Sequence, residues 1–215
     1  MMSVGRFITI EGGEGSGKST LAAAIVEHLR SIGIKAISTR EPGGTPLAEE
    51  IRNVALRPRD EAVPPITELL LMYAARADHL EKVIRPALAA GAWVICDRFD
   101  LSSRAFQGAG RGLPPAVFDE LEARVIGETM PDVTLLIDVP VEIGLARARA
   151  RGPADRFESE EVTFHERVRN EFLRAADRLR NRAALIDGTQ SEEDVLRAAI
   201  NILTPRINDH VRLAG

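Results

Sequence analysis

The sequence predicts an α/β domain, a parallel sheet of about five strands with helices on both faces. Three observations carry this expectation. Short continuous apolar runs recur along the chain, helical segments separate them, and a glycine-rich stretch joins the first run to the first helix. Runs that lack apolar-polar alternation suit strands buried on both faces, as in a parallel sheet.

Residues 6–11 (RFITIE) are β-rich and apolar, and after the glycines residues 18–32 carry Leu21, Ala24, Ile25 and Leu29 at helical spacing. Gly33 ends that helix and residues 34–39 read as a second short strand. Residues 41–46 (EPGGTP) then impose a loop that no helix could tolerate. Helical pattern resumes over 47–56, breaks over 57–65, and runs from 66 to about 90, where Gly91 stops it. Residues 92–96 (AWVIC), 132–139 (DVTLLIDV) and 183–187 (AALID) supply the third, fourth and fifth strands. Residues 145–161 (LARARARGPADRFESEE) join an arginine-rich helix end to a Gly-Pro break and a charged segment, which reads as a mobile flap. Helical spacing returns over 162–182. With no internal repeat or linker, residues 1–215 form a single domain.

Composition excludes several classes. With 45% hydrophobic and 28% charged residues the chain has the balance of a soluble globular protein rather than a disordered one. Uncharged stretches such as 87–96 fall short of the roughly 18 apolar residues of a membrane helix, and the opening has no signal-peptide core, so the expectation is a cytoplasmic protein. The lone Cys96 allows neither an internal disulfide nor a thiolate metal cluster, and its place in an apolar strand argues against a nucleophile. A net charge of -4 and 4% aromatic residues disfavour bulk nucleic-acid binding.

Gly12-Gly13-Glu14-Gly15-Ser16-Gly17-Lys18-Ser19 fits G-x-x-x-x-G-K-[ST] between a predicted strand and a predicted helix, the context that marks a P-loop. Glycines let backbone N–H groups turn toward phosphates, the helix N-terminus adds its dipole, Lys18 suits the β- and γ-phosphates and the Ser19 hydroxyl suits Mg²⁺. The dinucleotide pattern G-x-G-x-x-G fails because Lys18 stands where its last glycine belongs, and His165-Glu166 lacks the second histidine of H-E-x-x-H. No N-K-x-D or D-x-x-G stretch marks a GTPase. Instead Asp97 and Arg98 follow the third strand, at the sheet edge where ligands bind. A carboxylate there can hold Mg²⁺ or its water, and an arginine can clamp a second phosphate, so a phosphorylated acceptor is expected.

Phe7 to Thr20 (FITIEGGEGSGKST), Thr39 to Thr45 (TREPGGT), Tyr73 to Arg76 (YAAR), Val94 to Phe99 (VICDRF), Ser102 to Gly112 (SSRAFQGAGRG) and Asp155 to Glu158 (DRFE) together resemble the thymidylate kinase family over nearly the whole chain. The resemblance implies a P-loop kinase fold, usually a homodimer, that transfers the γ-phosphoryl of Mg²⁺-ATP to dTMP, a step in dTTP synthesis. By resemblance the ATP site comprises Gly12, Gly13, Glu14, Gly15, Ser16, Gly17, Lys18, Ser19 and Thr20, with Arg147 stacking on adenine and Thr189-Gln190 near the purine edge. The metal falls to Ser19 and Asp97. Arg98 matches the residue on the dTMP phosphate, with Arg40, Glu41 and Pro42 nearby. Arg76 matches the arginine reading the thymine edge, Ser103 and Gln107 the polar contacts to the base, and Phe106 an aromatic position that crowds the sugar 2′ carbon. Glu14 matches an acidic residue associated with the acceptor 3′-hydroxyl or the metal. Where many relatives place a phenylalanine against thymine, this chain has Met72. Where one branch of the family carries a P-loop arginine, it has Gly15, so the resemblance assigns transition-state charge to arginines of a lid at about residues 147–161. Arg149, Arg151 and Arg156 are the candidates, and Arg151 and Arg156 the preferred ones. His79 lies one turn beyond Arg76, and Trp93 reads as sheet core.

Overall fold

The computed structural model describes residues 5–214. Five parallel strands stand in the order β2-β3-β1-β4-β5, with β1 Phe7–Gly12, β2 Ala36–Arg40, β3 Trp93–Asp97, β4 Val133–Asp138 and β5 Ala183–Asp187. The expected sheet is present. The chain builds β2 and β3 on one side of β1 and then β4 and β5 on the other, so the winding reverses at β1. Beyond the carboxyl end of such a reversal a crevice opens for ligands.

Alternation along the strands feeds two cores. Ile8 and Ile10 pack with Leu21, Ile25 and Leu29 of α1 (Lys18–Ser31) and with Leu203 of α9 (Glu192–Ala214). Phe7 on the opposite face joins Val94 and Cys96 under Leu69 and Tyr73 of α3 (Pro65–His79). Trp93 is wholly buried and its indole N–H donates to His210 Nδ1 at 3.0 Å. β5 is an edge strand with Leu185 half exposed, unlike the fully covered β1 and β3.

One helix differs from its expected form. The segment read as a single helix over 66–90 is α3, then a wide π turn at Leu80–Ile84, then α4 (Arg85–Ala89). The wide turn ends two residues before Pro86, which has no N–H to donate and would interrupt regular i to i−4 bonding. α2 (Pro46–Leu56) starts one residue earlier than its periodicity suggested, because Thr45 Oγ1 accepts from the Ala48 N–H and Pro46 takes the first helical position. After β3 a short α5 (Asp100–Ser103) runs into a π turn at Arg104–Gly110, followed by α6 (Pro115–Leu121), α7 (Val141–Arg151) and α8 (Val162–Leu179). Among the described residues no helix is long and apolar enough to cross a membrane.

Candidate active site

Gly12 to Gly17 bend from the end of β1 into α1, and Gly15 and Gly17 hold φ of +64° and +89°, where a side chain would be strained. At Gly15 a β carbon would also overlap the carbonyl of Gly144 in α7, and one at Gly144 would overlap the carbonyl of Glu14. The loop apex therefore rests backbone to backbone on α7. Buried Lys18 folds back over the loop, donating to Gly13 O at 2.6 Å and Ser16 Oγ at 3.0 Å. Its pKa is pushed down to about 8, first by burial and then by the charge of Arg98. The loop lines a cavity with Ser19, Thr20, Asp97 and Arg98, and its walls carry Lys18, Arg40, Arg52, Arg98 and Arg151 against Glu14, Glu41 and Asp97. An excess of cations beside a glycine-rich loop and a helix N-terminus suits a polyphosphate.

At the end of β3, Asp97 Oδ2 accepts from Ser19 Oγ, while Oδ1 is buried with no partner among the described residues. Arg98 adopts a left-handed backbone, φ +69°, that turns its side chain across the P-loop. Its guanidinium donates to Gly12 O at 2.9 Å, Ser102 Oγ at 3.2 Å and Glu14 Oε1 at 2.8 Å, and lies 5.0 Å from the centre of the Phe106 ring. Burial alone would raise the Glu14 pKa, but Arg98 and Lys18 outweigh it and hold the carboxylate below its ordinary range.

A second cleft adjoins this cavity. Glu14, Glu41, Arg52 and Arg98 line both spaces. Pro42, Met72, Arg76, Ser103, Phe106 and Gln107 complete much of the cleft wall. Met72 and Arg76 fall on one face of α3 by their spacing of four. Arg76 is almost fully enclosed, donating to Glu41 at 2.7 Å, to Ser103 Oγ at 3.0 Å and to Asp100 at 3.5 Å, over the rings of Tyr73 and Phe99. Burial lowers its pKa and Glu41 and Asp100 more than reverse this. Phe106 packs edge-on against Phe157, Phe164 and Phe172.

The lid arginines diverge. Arg151 lines the P-loop cavity, well exposed, and pairs with Glu158 at 3.1 Å. Arg156 instead pairs with buried Glu68, donates to Ala55 O at 3.0 Å and lies over Phe157, away from the P-loop. Arg149 is exposed and lines neither space. Arg147 donates to Gly188 O at 2.8 Å, and Gln190 Nε2 to Asp187 at 2.7 Å; neither lines the cavity or the cleft. Exposed Arg40 lines the cavity and pairs with Glu49 at 3.0 Å. His79 is wholly buried between Thr39 and Glu41, and burial pushes the Cys96 thiol well up, so neither serves the site directly.

Sequence reading missed four members. Arg52 of α2 stands at the junction of cavity and cleft and donates to Pro42 O at 2.9 Å. Asp100 draws in Tyr73, Arg76 and Arg104. Glu68 gathers Arg111, Arg156 and Gln107. Glu11 accepts from Phe99 N at 2.9 Å and Ser102 Oγ at 2.5 Å, bracing the turn that carries Arg98, and burial pushes its pKa up to about 7. A glutamate inside the apolar run of β1 was the available signal for Glu11.

The thymidylate kinase family model matches residues 10–199. The chain is 54% identical over 208 residues to the thymidylate kinase of Pseudomonas fluorescens (strain SBW25), covering 97% of this chain and 99% of that protein. It is 51% identical over 199 residues to the thymidylate kinase of Alcanivorax borkumensis, covering 93% and 96%. The crystal structure of thymidylate kinase from Ehrlichia chaffeensis superposes with a TM-score of 0.77 at 33% identity, over 93% of this chain and 99% of that one.

Proposed function

The chain belongs to the thymidylate kinase family and is a nucleoside monophosphate kinase that phosphorylates dTMP to dTDP, and from that premise we propose which of its residues do the work. ATP phosphates bind in the P-loop cavity and dTMP in the adjoining cleft. The observation that carries this division is the shared wall: Arg98 and Glu14 line both spaces, where donor and acceptor must meet.

An oxygen of the dTMP phosphate attacks the γ-phosphorus, and the bond to the bridging oxygen of ADP breaks. The acceptor phosphate is already ionised near neutral pH, so no strong base is needed. Arg98 aligns the acceptor oxygen, helped by Arg40, Glu41 and Pro42 at the loop. Lys18 and the amides of Gly12 to Thr20 hold the donor phosphates, and Arg151 of a lid over residues 147–161 answers the charge on the moving group, while Arg156 braces the wall of the cleft through Glu68. Arg147 and Gln190 meet the adenine, while Met72, Arg76, Ser103, Phe106 and Gln107 receive the thymidine. Glu14 is held by Arg98 and stands ready for the sugar end of the acceptor.

A divalent ion fits the site, since a serine hydroxyl and a carboxylate with one unpartnered buried oxygen form the hard oxygen set that Mg²⁺ prefers. Ser19 and Asp97 would hold it, and when bound it neutralises phosphate charge. The working unit is a homodimer, for which exposed Ile66 and Leu70 on α3 offer apolar surface; sedimentation velocity giving a monomer at micromolar concentration would contradict this.

Lys18 should take up a proton on binding ATP just above pH 8, because the phosphates restore the charge that burial disfavours. The apparent ATP affinity should then fall as pH rises through about 8, since the free protein has to acquire the missing proton. Calorimetry at pH 8.5 in buffers of different ionisation enthalpy checks this, and identical heats would refute it. Met72→Ala should raise the dTMP KM several-fold and leave the ATP KM nearly constant, because a thioether against a ring contributes about 0.3–1.5 kcal/mol; equal effects on both would mean a packing role.

The assignment of cavities is tested by coupled ADP release with Mg²⁺-ATP and dTMP, dUMP, dCMP, UMP or thymidine, against a blank without acceptor. Release that requires dTMP and weakens for UMP and thymidine supports the acceptor clamp and the exclusion of a 2′-hydroxyl. Release independent of acceptor would overturn it.

A further inference from the structure

We propose that Glu68 determines which bases the cleft accepts, by locking the Gln107 amide with its carbonyl toward the ligand; this rests on reading the cleft as the acceptor site. Glu68 is wholly buried on α3, one turn before Met72. Its carboxylate receives Arg156 from the lid, Arg111 at 3.2 Å and Gln107 Nε2 at 3.3 Å. A carboxylate held by two guanidiniums only accepts, so of the two ends of the glutamine amide it takes the NH2. The reversed amide would set oxygen against oxygen in a buried place.

The other end of that amide is thereby assigned. Gln107 is 2% exposed and lines the cleft, and among the described residues no donor reaches its Oε1. The cleft is offered a fixed acceptor. Beside it Arg76 lines the same wall, with N–H groups to spare after serving Glu41, Asp100 and Ser103. An acceptor next to a donor complements the imide edge of thymine or uracil, where a ring N–H sits beside a carbonyl. Cytosine turns a bare ring nitrogen and an amino group to the same wall, so like meets like. Sites of fixed hydrogen-bond polarity discriminate far more strongly than apolar pockets, but only while the polarity stays fixed. An unheld glutamine can rotate and serve either base.

The test compares kcat/KM for dTMP and dCMP, or their Kd by displacement where turnover is too slow. Glu68→Gln can donate as well as accept, frees the amide, and should lower the dTMP-to-dCMP ratio about tenfold or more. Glu68→Asp keeps the charge for Arg111 and Arg156 but withdraws the carboxylate by about 1.5 Å, and should lower the ratio as well, even if the glutamine variant fails to fold. Arg156→Met removes the lid contact and keeps the bond to Gln107, so both nucleotides should suffer alike and the ratio should hold. A ratio retained in the folded Glu68 variants, or lost equally in Arg156→Met, overturns the proposal. Gln107→Leu separates the two levels: a dTMP KM raised tenfold or more upholds the acceptor cleft whatever Glu68 does, and an unchanged KM overturns cleft and lock together.

Discussion

Lys18→Met should lower kcat by roughly 10³-fold while the protein stays folded, the scale seen when one donor to developing phosphoryl or oxyanion charge is lost. The ammonium is folded back onto the P-loop, tied to Gly13 O and Ser16 Oγ, and among the described residues it has no acidic partner within bonding distance to leave stranded. Methionine is of similar length and removes a charge that burial already disfavours, so thermal stability should be unchanged or slightly higher. Single-turnover ADP formation alongside a melting curve separates the two quantities. A kcat within tenfold of the parent at full dTMP and ATP saturation would show that the phosphates do not rest on this lysine.

Arg151→Ala should lower kcat by a comparable factor, about 10³-fold, and change the dTMP KM much less. Its pairing with Glu158 is exposed and such pairs are worth about 1 kcal/mol or less, so the side chain can turn to the transferring phosphoryl at small cost. Arg156 is differently placed. Losing it would leave the buried Glu68 carboxylate with one guanidinium instead of two, so Arg156→Ala should lower kcat and raise the dTMP KM together, through the loosened wall of the cleft. Steady-state kinetics on both variants decide the matter: an unchanged kcat in each would remove the lid arginines from the chemistry, and a purely KM effect in Arg156→Ala would leave it as an anchor.

The parts of the molecule that could be read from the sequence are those whose meaning lies within a short window. The strands announced themselves as runs such as AWVIC, because burial on both faces erases alternation, and the P-loop did so because its glycines, Lys18 and Ser19 act within eight consecutive residues. Asp97 and Arg98 could be placed because the end of a strand fixes direction. Glu11 and Glu68 gave no such window, since their partners Ser102 and Arg156 lie 91 and 88 residues away. A lone glutamate in a strand or helix has a meaning only once the distant donor arrives. The same holds for Arg156: DRFE marks a lid by resemblance, yet which carboxylate receives the arginine is a property of how that segment packs against Glu68 of α3.

The contact between Gly15 and Gly144 also bears on which substitutions the loop can accept. An arginine at position 15, which would put a cation in the loop itself, cannot be introduced by substitution at that position alone. A side chain at 15 meets both an unfavourable φ and the α7 backbone, so α7 would have to move away first. The absent side chains of two glycines on either side of one contact thus act as a pair, and neither can be filled unless the two backbones part.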